Sequence, residues 1–123
     1  MARSPTARKK PPAADAPPTP APARAGKLFA VTRSRGPAWN PALPVEHQAE
    51  WSEHADFMNA LAAEGFVIMG GPLDDTPYTM LAVRAESAAE VRVRLTGDPW
   101  ETSRVLETTR IAGWTLALGA DRI

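Results

Sequence analysis

The sequence predicts an α+β domain in which a four-stranded antiparallel sheet carries two helices on one of its faces. Two observations lead to this class. After residue 26, apolar patterns with the periods of strands and of helices follow one another in the order β-α-β-β-α-β. The residues before that point hold seven of the 13 prolines and no large apolar side chain other than Met1. We therefore expect residues 1–26 to be a disordered Pro/Ala-rich tail and residues 27–123 to be the folded domain.

Charge divides the chain at the same boundary. The tail carries five basic residues against one acidic residue, a charge of +4, and the remainder carries nine against 13, a charge of −4. Because binding a polyanion requires clustered Lys and Arg, we do not expect nucleic acid as a partner of the acidic domain. The tail itself is either a solvating extension or an arm that docks on a partner or touches a polyanion, near Lys9-Lys10.

Composition excludes several classes of protein. The chain has no cysteine, which excludes disulfides, thiolate catalysis and Cys-ligated zinc or iron–sulfur centres. No apolar run approaches the roughly 20 residues that a membrane-spanning helix requires. The N-terminus also lacks the apolar segment of a secretory signal. We therefore expect a cytoplasmic protein that has no membrane partner.

The first half of the domain predicts a strand, a loop and a helix. The strand covers residues 27–33, and the proline-rich residues 34–45 form the loop. Residues 46–64 place Trp51, Ala55, Met58, Leu61 and Ala62 on one apolar stripe, which indicates a helix. Gly65 should end this helix in a left-handed conformation, with Phe66 packing back onto its last turn in a Schellman motif.

The second half predicts a hairpin, a second helix and a final strand. Residues 66–69 form a short strand that runs into Gly70-Gly71-Pro72, and residues 78–84 form the strand that pairs with it. Ser87 and Glu90 match a capping box that opens a helix ending at Gly97, where Asp98-Pro99 breaks it. A connector at residues 101–104 leads to a strand over residues 105–118. The second helix should bury Ala88, Val91 and Leu95.

This order of elements is that of the ferredoxin-like fold. Phe29 and Val31 point to one face of the sheet, whereas Leu28 and Ala30 point to the other, so both faces are apolar. A single layer of helices cannot cover both faces. We therefore expect a homodimer in which a second subunit covers the open face.

His54 is the first candidate for a functional residue. At about 100° per residue it falls between Leu61 and Met58 on the helix, so its ring should face the sheet. An imidazole within an apolar arc needs a hydrogen-bond partner, because its desolvation is otherwise uncompensated. The pattern leaves two interpretations open: a structural histidine bonded to a backbone carbonyl, or a residue of a functional site.

Two loop motifs carry the same ambiguity. Asp98 before Pro99 is either an ordinary helix end or a carboxylate at the mouth of the sheet that orients a histidine. Gly70-Gly71-Pro72 is either a structural turn or a strand end that lets a ligand approach the backbone closely. Its spacing excludes dinucleotide-binding and Walker loops.

A second histidine raises the question of a metal. His47 precedes His54 by one heptad. Two helical turns separate such residues by about 10 Å, which is too far for one ion. No carboxylate joins the two histidines into a set of ligands for one ion. We therefore predict neither a metal nor another cofactor.

Four short motifs occur in register along the folded part. They are Trp51-Ser52-Glu53-His54-Ala55-Asp56-Phe57-Met58, Leu61-Ala62-Ala63-Glu64-Gly65, Gly70-Gly71-Pro72-Leu73 and Gly97-Asp98-Pro99-Trp100. Their order and spacing resemble the YCII-related family, whose members show a helix histidine, an E-G turn, a G-P strand end and a D-P-[FW] element. The resemblance covers about residues 27–118. Residues 34–45, which contain Trp39, depart from the family pattern because the connection there is usually shorter.

The resemblance implies a dimeric α/β-barrel of the kind shared by muconolactone isomerases and small cofactor-free oxygenases. It also implies a pocket between helix and sheet, in which the family's His–Asp pair falls on His54 and Asp98. The G-P element of the family falls on Gly71 and Pro72, which would line that pocket. The apolar side chains that we expect to contact a ligand are Trp51, Met58 and Trp100.

Two classes of function follow from these residues. The first is a cofactor-independent enzyme in which His54, oriented by Asp98, moves a proton on a small organic substrate in isomerase or lyase chemistry. The second is a non-catalytic dimeric module that binds a small molecule or a partner, with His54 as a polar anchor in an apolar pocket. A third, purely structural interpretation keeps His54 as a packed core residue.

Overall fold

The computed structural model describes residues 26–123, and residues 1–25 lie outside the described part. The predicted disorder of the tail therefore concerns residues of which only Gly26 is described. The described residues form one antiparallel sheet of four strands with helices packed against one face. This arrangement confirms the predicted α+β class.

The four strands are β1 (Lys27–Arg35), β2 (Val67–Pro72), β3 (Tyr78–Ala85) and β4 (Leu106–Gly113). They lie in the order β2-β3-β1-β4, and each neighbouring pair is antiparallel. The first and third strands of the chain therefore occupy the centre of the sheet. This topology confirms the predicted ferredoxin-like fold.

Three α-helices and two short 3-10 helices complete the described part. The α-helices are α1 (Trp51–Ala63), α2 (Ala88–Leu95) and α3 (Pro99–Thr102), and the 3-10 helices cover Val45–His47 and Ala120–Arg122. As predicted, α1 ends in a Schellman motif, in which the Phe66 N–H donates to the Leu61 carbonyl at 3.1 Å and Gly65 has a φ of 80°. The Ser87 side chain accepts from the Glu90 N–H at the start of α2.

Alternate residues of β1 serve different faces of the sheet. Phe29 and Val31 point to the helices and belong to the buried core that α1 and α2 complete. Arg33 is the next residue on that face, and it is buried as well. Leu28 and Ala30 lie on the opposite face, which no helix of the described residues covers.

The first helix begins later than predicted. It starts at Trp51 rather than at residue 46, because Glu50 adopts a left-handed φ of 62° that interrupts the helical backbone. The separate 3-10 turn before it leaves His47 exposed and turns Gln48 into the interior. Ala62, expected on the buried stripe, is exposed, since the buried side of α1 is centred nearer to Leu61 than to Trp51.

The second half departs from prediction at three places. Ala88 is exposed, and α2 buries only Val91 and Leu95. Asp98-Pro99 opens the helix α3 instead of leading to an irregular connector, because the Asp98 side chain caps it. The last strand ends at Gly113, which pairs with Phe29, and not at residue 118. Strand β1 has only two residues beyond Phe29, too few to pair with β4 as far as residue 118.

Candidate active site

His54 lies on the buried side of α1, with 12% of its side chain exposed. Its Nδ1–H donates to the two carboxylate oxygens of Asp98, at 2.9 and 2.8 Å. Because an ionised carboxylate can only accept, this contact places a proton on Nδ1 and leaves Nε2 as the acceptor of a neutral ring. Within residues 26–123, Nε2 has no hydrogen-bond partner. The free nitrogen is therefore the one available for chemistry.

Asp98 is fully buried behind His54. One carboxylate oxygen accepts from the Trp100 N–H at 2.9 Å, and the other accepts from Nη2 of Arg33 at 2.9 Å. The carboxylate thus holds α3, β1 and α1 together through three donors. The sequence placed Asp98 at the mouth of the sheet; the structure buries it instead, because it caps a helix that packs against β4.

Arg33 supplies a positive charge to the buried side of the site. Only 1% of its side chain is exposed, and Nη2 also donates to Glu101 at 3.0 Å. Glu101 accepts a second hydrogen bond from the Thr108 hydroxyl. Nη1 of Arg33 contacts the Met58 sulfur at 3.8 Å. Two carboxylates therefore compensate the charge of this one guanidinium.

The pKa of Asp98 lies below its usual value of 3.8. Burial is the largest single influence and would raise the pKa, because it removes the water that stabilises the carboxylate. The hydrogen bonds from His54 and Trp100, with the charge of Arg33 and that of His54 when its ring is protonated, outweigh burial and lower the pKa. Asp98 is therefore ionised at neutral pH.

Two tryptophans lie against the imidazole, and a third packs on one of them. The ring of His54 stacks on Trp100, with the centroids 3.8 Å apart and the planes at 9°. Trp51 lies 6.0 Å from His54 and 5.8 Å from Trp100, and Trp39 meets Trp100 edge-on at 6.1 Å. The indole N–H of Trp100 donates to the Ala49 carbonyl at 2.6 Å. This packing and the bond to Asp98 fix the orientation of the imidazole.

A cavity of about 530 Å³ lies beside His54. Its size falls in the range of small-molecule sites. The five residues predicted to bind a substrate all border it, namely Trp51, Met58, Gly71, Pro72 and Trp100. The structure therefore brings the predicted residues together around one hollow, with Asp98 behind the wall that His54 forms.

The loop between β1 and α1 forms the outer wall of this cavity. It contributes Trp39, Leu43 and Val45 to the lining. The buried Gln48 holds the loop in shape, because its amide accepts from the Asn40 N–H at 2.9 Å and donates to the carbonyls of Asn40 and Leu43 at 2.8 and 3.0 Å. These hydrogen bonds give the long loop between β1 and α1 a defined shape, and the loop closes one side of the cavity.

Sequence reasoning missed the cations of the site. Arg33 and Arg35 follow Phe29 and Val31 at the alternate positions of β1, so the strand period places them on the helix-covered face. A charged residue at a core-facing position rarely occurs without a partner. A charged residue at such a position could therefore have identified Arg33 from the sequence. No sequence pattern near Glu101 indicates that it is the second carboxylate bonded to Arg33.

Two further properties concern the described residues only. Within residues 26–123, no three His, Asp or Glu side chains are grouped so that they could hold a metal ion. In the same part of the chain, every helix is too short or too polar to cross a membrane.

Comparison with known proteins gives a likeness in structure. No family model matches the chain, and a search of curated proteins found no match. Among solved structures, the chain is similar to 5-chloro-2-hydroxyhydroquinone dehydrochlorinase (TftG) from Burkholderia phenoliruptrix AC1100, in complex with 2,5-dihydroxybenzoquinone. The identity is 21%, the TM-score is 0.52, and the match covers 76% of this chain and 97% of that chain. The two proteins therefore share the same fold, the ferredoxin-like α+β fold predicted from the sequence.

Proposed function

We propose that the protein is a cofactor-independent enzyme that performs general acid–base chemistry of the isomerase or lyase type on a small organic substrate, with His54 and Asp98 as the catalytic pair. The observation that carries the proposal is the bond of His54 Nδ1 to the buried Asp98, at 2.8 Å, beside the cavity. A structural histidine needs no cavity beside its ring. A proton-transfer residue does, because the substrate must reach it.

The geometry defines the role of each residue. Nε2 of a neutral His54 takes a proton from a carbon or hydroxyl of the substrate, and the electron pair of the broken bond stays on the substrate. Asp98 remains ionised and stabilises the imidazolium that forms. The imidazolium then returns the proton to another substrate atom, which completes an isomerisation. Alternatively, the electron pair expels a leaving group with its bonding electrons and the imidazolium gives the proton to that group, which completes an elimination.

The cavity walls favour a flat substrate. Trp39, Trp51 and Trp100 border it, and aromatic side chains pack well against planar rings. TftG is named as a dehydrochlorinase and was solved with a planar quinone, 2,5-dihydroxybenzoquinone. Membership of the YCII-related family, suggested by the four motifs in register, and a cytoplasmic location belong to the same proposal.

The second part of the proposal is a homodimer. Ala30 lies between Ala82 and Ala112 on the open face of the sheet, in register with both. Met69 and Met80 neighbour this alanine row, and 57% of Met69 is exposed. Arg84 and Arg110 flank this small, apolar centre on the same face. A flat apolar centre with polar side chains around it suits stacking against the same face of a second copy.

Hydrogen–deuterium exchange on a probe ligand tests the catalytic part. The full chain is incubated in heavy water with 2,5-dihydroxybenzoquinone and with small enolisable ring ketones, and uptake of deuterium at carbon is followed by proton NMR. We expect the wild-type protein to accelerate exchange. His54→Ala and Asp98→Asn should each lower the rate about 10²–10⁴-fold, because each removes part of the positioned base.

His47→Ala provides the matched control, since this exposed histidine lies outside the cavity lining. The control variant should exchange as fast as the wild type. Circular dichroism identifies any variant that fails to fold. Binding of every probe without acceleration of exchange would favour the non-catalytic binding module, and exchange by His54→Ala at the wild-type rate would contradict the proposal.

A further inference from the structure

The side chains that border the cavity and can carry a charge near neutral pH are basic. Arg33 and Arg35 border it together with the imidazole of His54, and within residues 26–123 no acidic residue does. Asp98 and Glu101 lie behind the wall, where they are bonded to Arg33. Asp74 and Asp75 belong to the turn after β2 and are exposed, and neither lines the cavity. A ligand in the cavity therefore meets cationic groups and apolar surface.

The two arginines differ in how their charges are compensated. Arg33 is 1% exposed and has Asp98 and Glu101 as partners, so two buried or half-buried carboxylates compensate its charge. Arg35 lies two residues further along the same face of β1 and is exposed. Within the described residues it forms no ion pair with a carboxylate. Arg35 is therefore the uncompensated cation of the cavity.

Its environment orients this cation. The guanidinium carbon of Arg35 lies 4.5 Å from the centroid of the Trp39 ring, in cation–π contact. Its backbone N–H donates to the Pro77 carbonyl at 3.1 Å, which fixes this end of β1 next to the start of β3. A guanidinium that lies over an aromatic ring keeps its N–H edge free, and that edge matches the two oxygens of a carboxylate.

From this arrangement we propose that the ligand is a small planar organic anion, and that Arg35 binds its anionic group while the flat part of the molecule lies against the tryptophan-lined wall beside His54. The inference rests on the proposed function only in that it places the ligand in the same cavity. Arg35 thereby determines specificity: it selects an acid over the neutral molecule of the same shape. Trp39 positions the guanidinium for that contact.

Matched ligands test the inference by isothermal titration calorimetry on the full chain. Benzoate and 2-naphthoate are each compared with the corresponding amide, which has the same shape and no charge. We expect each acid to bind the wild type about tenfold more tightly than its amide, the range of a charge-assisted hydrogen bond. Arg35→Gln should weaken binding of the acids roughly five- to tenfold and leave the amides unchanged.

A control variant makes the result specific. Arg92→Gln removes the same charge from an exposed position on α2, outside the cavity lining, and should keep the preference for acids. A wild type without a preference for acids, or an Arg35→Gln variant with the full preference, would overturn the inference. Neither result bears on the deuterium exchange, and loss of exchange in His54→Ala says nothing about Arg35.

Discussion

At the scale of the residue, the site depends on a carboxylate that is held ionised without contact with water. Asp98 is fully buried, which would be unfavourable for a lone charge. Three donors compensate it, from His54, Trp100 and Arg33. Asp98 can therefore orient His54 while the cavity stays largely apolar.

The lowered pKa of Asp98 predicts how stability depends on pH. The unfolded chain has the ordinary pKa near 3.8, and the folded pKa is lower, so the folded state favours the ionised form. The resulting stabilisation is fully present above the unfolded pKa and is lost as the pH falls through the folded pKa. Asp98→Asn should therefore lose less free energy of unfolding than the wild type between neutral pH and about pH 3. Urea denaturation at each pH measures both values.

Asp56→Asn is the control for this prediction, because Asp56 is exposed on the same helix as His54. Its loss of free energy on acidification should equal that of the wild type. An acid dependence of Asp98→Asn as steep as that of the wild type would show that the buried carboxylate contributes no such stabilisation.

The limits of sequence reasoning are clearest at single residues. The helical period correctly placed His54 toward the sheet, because Leu61 and Met58 flank it on the wheel. Its pairing with Asp98 is a contact between residues 44 positions apart, which no local pattern encodes. The resemblance to a family supplied that pair, and only the structure shows that Arg33 completes it.

At the scale of the element, strand and helix periods located most of the secondary structure. The ends of elements were harder to predict, because they depend on single backbone conformations and on tertiary partners. The left-handed conformation of Glu50 makes α1 begin at Trp51, and the side chain of Asp98 caps the start of α3. The composition of neither segment indicates these helix starts. Strand β4 cannot pair as far as residue 118, because its partner β1 has only two residues beyond the pair of Phe29 with Gly113.

The two glycines of β2 give a prediction at this scale. A Cβ on Gly70 would collide with Cδ2 of Leu81 and lie 2.9 Å from the Met80 carbonyl oxygen, whereas nothing in the described residues lies within 4 Å of a Cβ on Gly71. Gly70→Ala should therefore cost about 1–3 kcal/mol of the free energy of unfolding, because backbone as well as side chain must shift. Gly71→Ala should stay within about 0.5 kcal/mol of the wild type.

Urea denaturation of the two variants in parallel measures the difference, and each variant serves as the matched control of the other. Equal stability of Gly70→Ala and Gly71→Ala would mean that β2 does not approach β3 as closely as described.

At the scale of the whole molecule, one layer of helices covers one face of the sheet and leaves the other open. The cavity lies on the helix side, lined by the loop before α1 and by residues of β1, β2, β3 and α1. Those parts of one chain therefore provide the walls of the proposed site. The open face is separate from it and contains the row of Ala30, Ala82 and Ala112.

A charge on the open face tests the proposed homodimer. The wild-type protein should show about twice its chain mass of 13.2 kDa in size-exclusion chromatography with light scattering. Ala30→Lys should be monomeric and folded, because an ammonium group at the centre of two stacked sheets is desolvated and lies beside the cations Arg84 and Arg110 on the same face. Ala89→Lys, at an exposed position on α2, should remain dimeric. A monomeric wild type, or a dimeric Ala30→Lys, would contradict this proposal.

The most direct test of the central claim is nitrogen NMR of the His54 imidazole in the wild-type protein, with the exposed His47 assigned through the spectrum of His47→Ala. We predict that the proton on Nδ1 of His54 is shared with Asp98, and that Nε2 is the nitrogen whose signal changes when a ligand such as 2,5-dihydroxybenzoquinone enters the cavity. A neutral ring that carries its proton on Nε2, or an Nε2 signal unchanged at saturating ligand, would contradict the assignment of His54 as the group that exchanges protons with a substrate.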